Sequence, residues 1–212
     1  MQLPYGAVYF RKSNPPPEEW ERDYQTAAED GMNIFRHWFM WGAIEIAPGI
    51  YDWEDYDRQM DLAAQNGIKT IIAEMLTIPE WLASSEPDLL YRQIDGLRCQ
   101  SRMGGSSSTG GFYAGPCLDN PKSREYAGKF LCALAQRYKD HPAMLGYDIW
   151  NECNYAENIC CCPYTLKVYQ QWLERKYGNI QTLNKIWHRY SYTNFSQIGP
   201  PPELSLYPES ID

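Results

Sequence analysis

The chain has 212 residues, a formal net charge of −8 and an aromatic content of 15%. The acidic balance argues against nucleic acid, which recruits a basic footprint, and against anionic membrane surfaces or polyanionic substrates. Apolar residues at 44% and charged residues at 22% describe a folded globular chain and exclude a disordered one.

Gly6 to Phe10 reads as a first strand. A helix is expected from about Pro17, with Trp20, Tyr24, Ala27 and Ala28 on one face and Gly31 as its stop. Met32 to Phe39 reads as the second strand. Trp53, Tyr56, Met60, Ala63 and Ala64 form the next helical stripe, ended by Asn66-Gly67. Thr70 to Glu74, rich in β-branched residues, has the look of a buried parallel strand. The helix stop Ala28-Glu29-Asp30-Gly31-Met32 recurs as Ala64-Gln65-Asn66-Gly67-Ile68, 36 residues further on. Asn120 and Pro121 begin a third helix carrying Tyr126, Phe130, Leu131, Leu134 and Tyr138, and Met144 to Trp150 is expected as a fourth strand. The glycine- and serine-rich run from Gly104 to Gly111 lacks the Gly-Lys-Ser/Thr ending of a phosphate cradle and reads as a surface loop.

Strands alternating with helices imply a parallel sheet with right-handed crossovers. A doubly wound sheet usually carries a glycine-rich turn after its first strand, where this chain has Arg11-Lys12-Ser13-Asn14-Pro15. The (β/α)8 barrel needs no such turn, and long loops follow strands two, three and four, as barrels require. The expected fold is therefore α/β: the N-terminal half of a (β/α)8 TIM barrel, about strands 1–4 with their helices, over residues 1–198. Residues 199–212 are expected to form a proline-rich connector toward a second half. A full barrel takes about 250 residues and half of one leaves open sheet edges, so the chain is expected to be a fragment or a truncation. With no signal-peptide pattern and no apolar run of about 18 to 20 residues, the expected location is cytoplasmic, with no membrane partner.

Gly146-Tyr147-Asp148-Ile149-Trp150-Asn151-Glu152 ends the fourth strand. In a barrel, residues there face the active-site mouth. A carboxyl crowded by aromatics is desolvated, which raises its pKa and keeps it protonated, as a glycosidase acid needs. Asn151 suits a sugar hydroxyl. Trp38, Trp41, Trp81 and Trp150 read either as core residues or as sugar platforms, Trp150 being the best placed for the latter. Seven cysteines, Cys99, Cys117, Cys132, Cys153, Cys160, Cys161 and Cys162, do not suggest a disulfide framework. The cluster at 160–162, with Cys117 before the third helix, reads either as a structural Zn²⁺ site or as a reduced group without metal, and Cys132 as a small core residue.

Several short motifs follow one another along the chain. They are Trp20, Asn33-Ile34-Phe35-Arg36, Trp41 with Glu45, Gly49-Ile50-Tyr51-Asp52-Trp53, and Asp61-Leu62-Ala63 through Gly67-Ile68-Lys69. Pro79-Glu80-Trp81-Leu82, Tyr138-Lys139-Asp140-His141-Pro142, Asn151-Glu152, Trp172-Leu173, Tyr177-Gly178, Leu183-Asn184 and Trp187 complete the set. This ordered set resembles glycoside hydrolase family 42, β-galactosidases of the clan of retaining (β/α)8 hydrolases. The resemblance implies removal of terminal β-D-galactosyl residues from β-galactosides, with no cofactor for catalysis. It implies Glu152 as general acid/base, Asn151 as its hydroxyl-binding neighbour, and Arg36 as a substrate-side or carboxylate-positioning cation, while Trp150 is read as a substrate contact from its place beside Glu152. It also implies a homotrimer for the full-length product. Its nucleophile is a Glu on a late strand, expected beyond residue 212, so this chain alone is expected to be inactive.

Two departures stand out. The run His37-Trp38-Phe39-Met40 is one residue shorter than the family's and lacks its acidic residue. Family members with zinc use a cysteine at the Cys117 position and a Cys-x-Cys-x-x-Cys run. Cys160 and Cys162 match that run, Thr165 replaces its last cysteine, and Cys161 or Cys153 is left to supply a fourth thiolate. The rival functions are another retaining glycosidase, acting on β-mannan, β-glucan or arabinosides, and a non-catalytic carbohydrate-binding half-barrel.

Overall fold

The computed structural model describes residues 3–9, 15–75, 77–92, 116–148 and 160–200. In chain order the elements are β1 (Gly6–Tyr9), α1 (Trp20–Glu29), β2 (Ile34–Met40), α2 (Trp41–Ile44), β3 (Glu45–Ala47), β4 (Ile50–Tyr51) and α3 (Glu54–Gln65). There follow β5 (Lys69–Met75), α4 (Glu80–Ser85), α5 (Pro121–Tyr138), β6 (Met144–Asp148), α6 (Pro163–Tyr177) and α7 (Ile180–Ile186). Among the described residues no helix is long and apolar enough to cross a membrane.

β1, β2, β5 and β6 form one sheet in that order, each parallel to its neighbour. Every new strand is added on the same side, with no reversal of order. A doubly wound sheet reverses at its switch point, whereas a barrel grows in one direction, so the topology is that of the N-terminal half of a (β/α)8 barrel. Between β1 and β2 the backbones come close: a Cβ on Gly6 would stand 1.6 Å from the Ile34 carbonyl oxygen, which explains glycine there.

The parallel register sorts side chains onto two faces. Phe35, Phe39 and Ile72 lie on the helix-covered face, in a core with Trp20, Tyr24, Trp41, Tyr56, Phe130 and Tyr138. Burial of each large side chain there contributes roughly 1.5–3 kcal/mol of transfer free energy. Polar tips of the layer find partners: Tyr138 donates to Asp57 Oδ1 at 2.9 Å, and Trp20 Nε1 to the Pro15 carbonyl at 2.8 Å. The other face carries Arg36, Trp38, Ala73 and Asp148, the inner side of the curved sheet.

Three sequence expectations need correction. α1 begins at Trp20 and not near Pro17, because residues 17–19 form a turn in which Glu19 N donates to the Pro16 carbonyl at 3.0 Å. β2 begins at Ile34, two residues later than expected. Gly31 takes φ +82°, and the N–H groups of Gly31 and Met32 bond back to Ala28 and Ala27 carbonyls at 3.0 and 2.9 Å. This is a Schellman stop, so Met32 closes α1 and does not open the strand. Cys132 is exposed. The buried face of α5 is Ser123, Ala127, Phe130, Leu134 and Tyr138, and residue 132 points away from it.

Candidate functional site

The inner face of the sheet places a charge pair at its mouth. Arg36, on β2, reaches across β5 to Asp148, the last residue of β6. Its Nε and its terminal amino group meet the same oxygen, Asp148 Oδ2, at 2.8 and 2.7 Å. The guanidinium also lies 5.5 Å from the centre of the Trp38 ring, within cation–π range. Side-chain exposures of 23% and 34% make the pair half-buried, so it is more than an exposed surface contact yet still hydrated. Arg36 is thus held in one orientation by a carboxylate. Asp148 was given no role by sequence reasoning. An acidic side chain within a parallel strand of a barrel was the available signal, since such a strand is covered on both faces and needs a partner for a charge.

Trp150, Asn151 and Glu152 lie outside the described residues. Asp148 precedes Glu152 by four positions, so the chain that leaves β6 at the Arg36 pair leads directly to them. Among the other tryptophans, Trp41 is fully buried in the core, and Trp81 donates from Nε1 to the Glu45 carbonyl at 2.8 Å. Trp38 shares the inner face with Arg36. Glu45 is a buried brace: it accepts from Trp41 Nε1 at 2.5 Å and from Gly49 N at 2.9 Å, closing the β3–β4 hairpin. Glu80 is exposed in the first turn of α4.

A second constellation lies where α5, α6 and residues 89–92 converge. Cys117 N donates to the Leu89 carbonyl at 2.7 Å, and the Cys117 carbonyl accepts from Asn120, the N-cap of α5, at 3.0 Å. Cys162 is the N-cap of α6, its Sγ accepting from Thr165 N at 3.5 Å. Cys160 Sγ accepts from Arg92 N at 3.5 Å. The Sγ atoms of Cys117, Cys160 and Cys162 lie within 4.8 Å of one another, and all three residues are buried. A hydrogen bond from Cys117 draws Cys160 down from the ordinary thiol value to about 5, while the same contact and burial push Cys117 up.

The donor chemistry suits zinc. Tetrahedral Zn²⁺ with arms of about 2.3 Å to sulfur sets sulfur–sulfur edges of about 3.8 Å, and Cys117 and Cys162 stand 3.5 Å apart. Two of the three sulfurs belong to residues at or just before helix starts, where the backbone N–H groups favour negative charge. The sulfur of Cys161 lies outside that group of three. Cys153 and Cys99 lie outside the described residues.

A family profile described as β-galactosidase, of glycoside hydrolase family 42, matches residues 9–210. The chain is 30% identical over 203 residues to the β-galactosidase of Halorubrum lacusprofundi, covering 92% of this chain and 28% of that protein. It is 29% identical to the β-galactosidase of Thermus thermophilus, covering 92% and 30% respectively. The solved structure of the Antarctic Halorubrum lacusprofundi β-galactosidase superposes with a TM-score of 0.77 at 27% identity, over 94% of this chain and 29% of that one. The enzyme from the psychrophilic Marinomonas ef1 gives 0.76 at 25% identity, over 97% and 31%. The chain therefore spans about three-tenths of the length of the curated relatives it matches.

Proposed function

The chain belongs to glycoside hydrolase family 42, and from that premise we propose that it supplies the first half of the catalytic barrel of a retaining β-galactosidase. The observation that carries this reading is the Arg36–Asp148 pair at the end of β6. It puts an oriented cation on the barrel's inner face, held by Asp148, which stands four residues before the carboxyl assigned as the acid.

In this reading Glu152 protonates the leaving oxygen of a β-galactoside and then, as a carboxylate, deprotonates the incoming water. Retention requires a second carboxylate about 5 Å away to form the glycosyl intermediate. That partner is assigned to a later strand than the four of this sheet. Asn151 holds a hydroxyl of the bound sugar, and Trp150 offers an apolar face to the ring. Arg36, steered by Asp148, lends positive potential to the side where the carboxylates gather. Cys117, Cys160 and Cys162 would hold a structural Zn²⁺, which when bound cross-links the starts of α5 and α6. No step of the sugar chemistry passes through it.

The test is Glu152→Gln in the barrel completed by its second half, assayed on galactosides with poor and good leaving groups. Turnover of the poor leaving group should fall about 10²- to 10⁴-fold, the usual contribution of a positioned acid/base. Formation of the glycosyl intermediate from a highly activated aryl galactoside, which needs no protonation, should be nearly retained. Wild-type turnover on the poor leaving group would refute the assignment.

A further inference from the structure

Three thiols make an incomplete tetrahedron, and among the described residues the hydroxyl of Thr165 stands against two of them. Its Oγ1 lies 3.2 Å from Cys117 Sγ and 3.6 Å from Cys162 Sγ. A zinc ion with arms of about 2.3 Å to sulfur and about 2.0 Å to oxygen sets sulfur–oxygen edges of about 3.5 Å. The hydroxyl therefore stands at ligand spacing from two of the thiols. Its backbone is fixed as well, because Thr165 N donates to Cys162 Sγ within the first turn of α6.

We propose that Thr165 Oγ1 occupies the fourth vertex of the thiol site, giving a three-sulfur, one-oxygen site whose oxygen vertex can be exchanged for a small external thiol. This rests on the reading of Cys117, Cys160 and Cys162 as zinc ligands. Two further observations support it. Cys161, next in the chain to two of the thiols, does not join the group. The exposure is also uneven: Cys117, Cys160 and Cys162 are 1%, 6% and 1% exposed, whereas Thr165 is only partly buried. Of the four residues, Thr165 is thus the most exposed. A neutral hydroxyl binds a borderline-soft ion less strongly than a thiolate does. Three thiolates around Zn²⁺ leave the complex one charge less negative than four would. An incoming thiol gives its proton to solvent and binds as thiolate, the hydroxyl moves off the metal, and no oxidation state changes.

The test uses Co²⁺ as a spectroscopic stand-in, loaded into the purified 212-residue chain and into Thr165→Cys, Thr165→Ser and Thr165→Val. Wild type and Thr165→Ser should show the sulfur-to-cobalt absorption of three thiolates. Thr165→Cys should raise that absorption in proportion to ligand number, to about four-thirds, move the visible bands to longer wavelength, and bind Zn²⁺ about tenfold or more tightly in a competition titration. Adding 2-mercaptoethanol should convert the wild-type spectrum toward that of Thr165→Cys and leave Thr165→Cys unchanged. Thr165→Val should bind more weakly than wild type. A four-thiolate spectrum in wild type that Thr165→Cys does not alter would overturn the proposal while leaving the zinc reading intact, with Cys153 then the missing ligand. Cobalt binding by Thr165→Cys but not by wild type would also overturn it. A chain that is folded by circular dichroism and binds no metal in any of the four forms would sink the zinc reading and the proposal together.

Discussion

The aromatic layer between the sheet and helices α1, α3 and α5 differs from the C-terminal pair α6–α7 in how each is held. The first is continuous: Trp20, Trp41, Tyr56, Phe130 and Tyr138 are all buried to within about one per cent and belong to a single cluster. The second has its own small core of Leu173, Ile180, Leu183 and Ile198, and leaves Tyr164, Val168 and Trp172 of α6 substantially exposed. Its capping is sound, with Asn179 accepting from Thr182 N at 2.8 Å at the start of α7. Among the described residues the thiol corner touches both: Cys162 is the N-cap of α6 and its sulfur lies 3.5 Å from that of Cys117, three residues before the N-cap of α5. The contrast teaches that one region is held by a continuous apolar layer, while the other has a small core of its own and meets the first at the buried cysteines.

Substitutions can break that contrast or sharpen it. Trp41→Ala should have the largest effect, a loss of about 3–5 kcal/mol read by urea unfolding, because it opens a cavity at the centre of the shared layer. Loss of less than about 1 kcal/mol would mean that this layer is not the continuous unit described. Leu183→Ala should cost about 2–4 kcal/mol locally. Hydrogen exchange should then quicken in α6–α7 with the amides of β2 and β5 still protected, as expected of a separate cooperative unit. Uniform acceleration across the chain would merge the two regions into one. Asn179→Ala should have the smallest effect, about 1 kcal/mol from loss of a helix cap, again confined to α6–α7.

The legibility of the sequence followed the range of the forces involved. Helical stripes such as Tyr56-Met60-Ala63, and the strand at Thr70–Glu74, are set by local periodicity, and the structure places α3 and β5 there. The sequential parallel topology followed from helix–strand alternation and the missing glycine turn. The two-residue offset of β2 escaped notice because Met32 is apolar for a local reason, closing the stop at Gly31, and periodicity cannot tell this from strand burial. The short α2, the β3–β4 hairpin and α4 were expected only as loops, being too brief to show a period. Of the site, Arg36 was singled out, but its partner Asp148 was not, because a pair separated by 112 positions is brought together only by strand order. Thr165 shows in the sequence only as a break in the cysteine spacing, because its approach to two sulfurs is a tertiary contact that spacing does not carry.

The stops at Gly31 and Gly67 share one geometry, each glycine at positive φ with paired bonds back into the helix, and each directly precedes a strand of the sheet. They therefore lie at the opposite end of the strands from Asp148. A barrel divides its labour between those ends, with loops after the strands carrying chemistry and loops before them carrying stability. These two turns are accordingly the chain's natural points for engineering: a fluorophore, a purification tag or the new termini of a circular permutant placed beside either glycine would stay remote from the Arg36–Asp148 end of the strands.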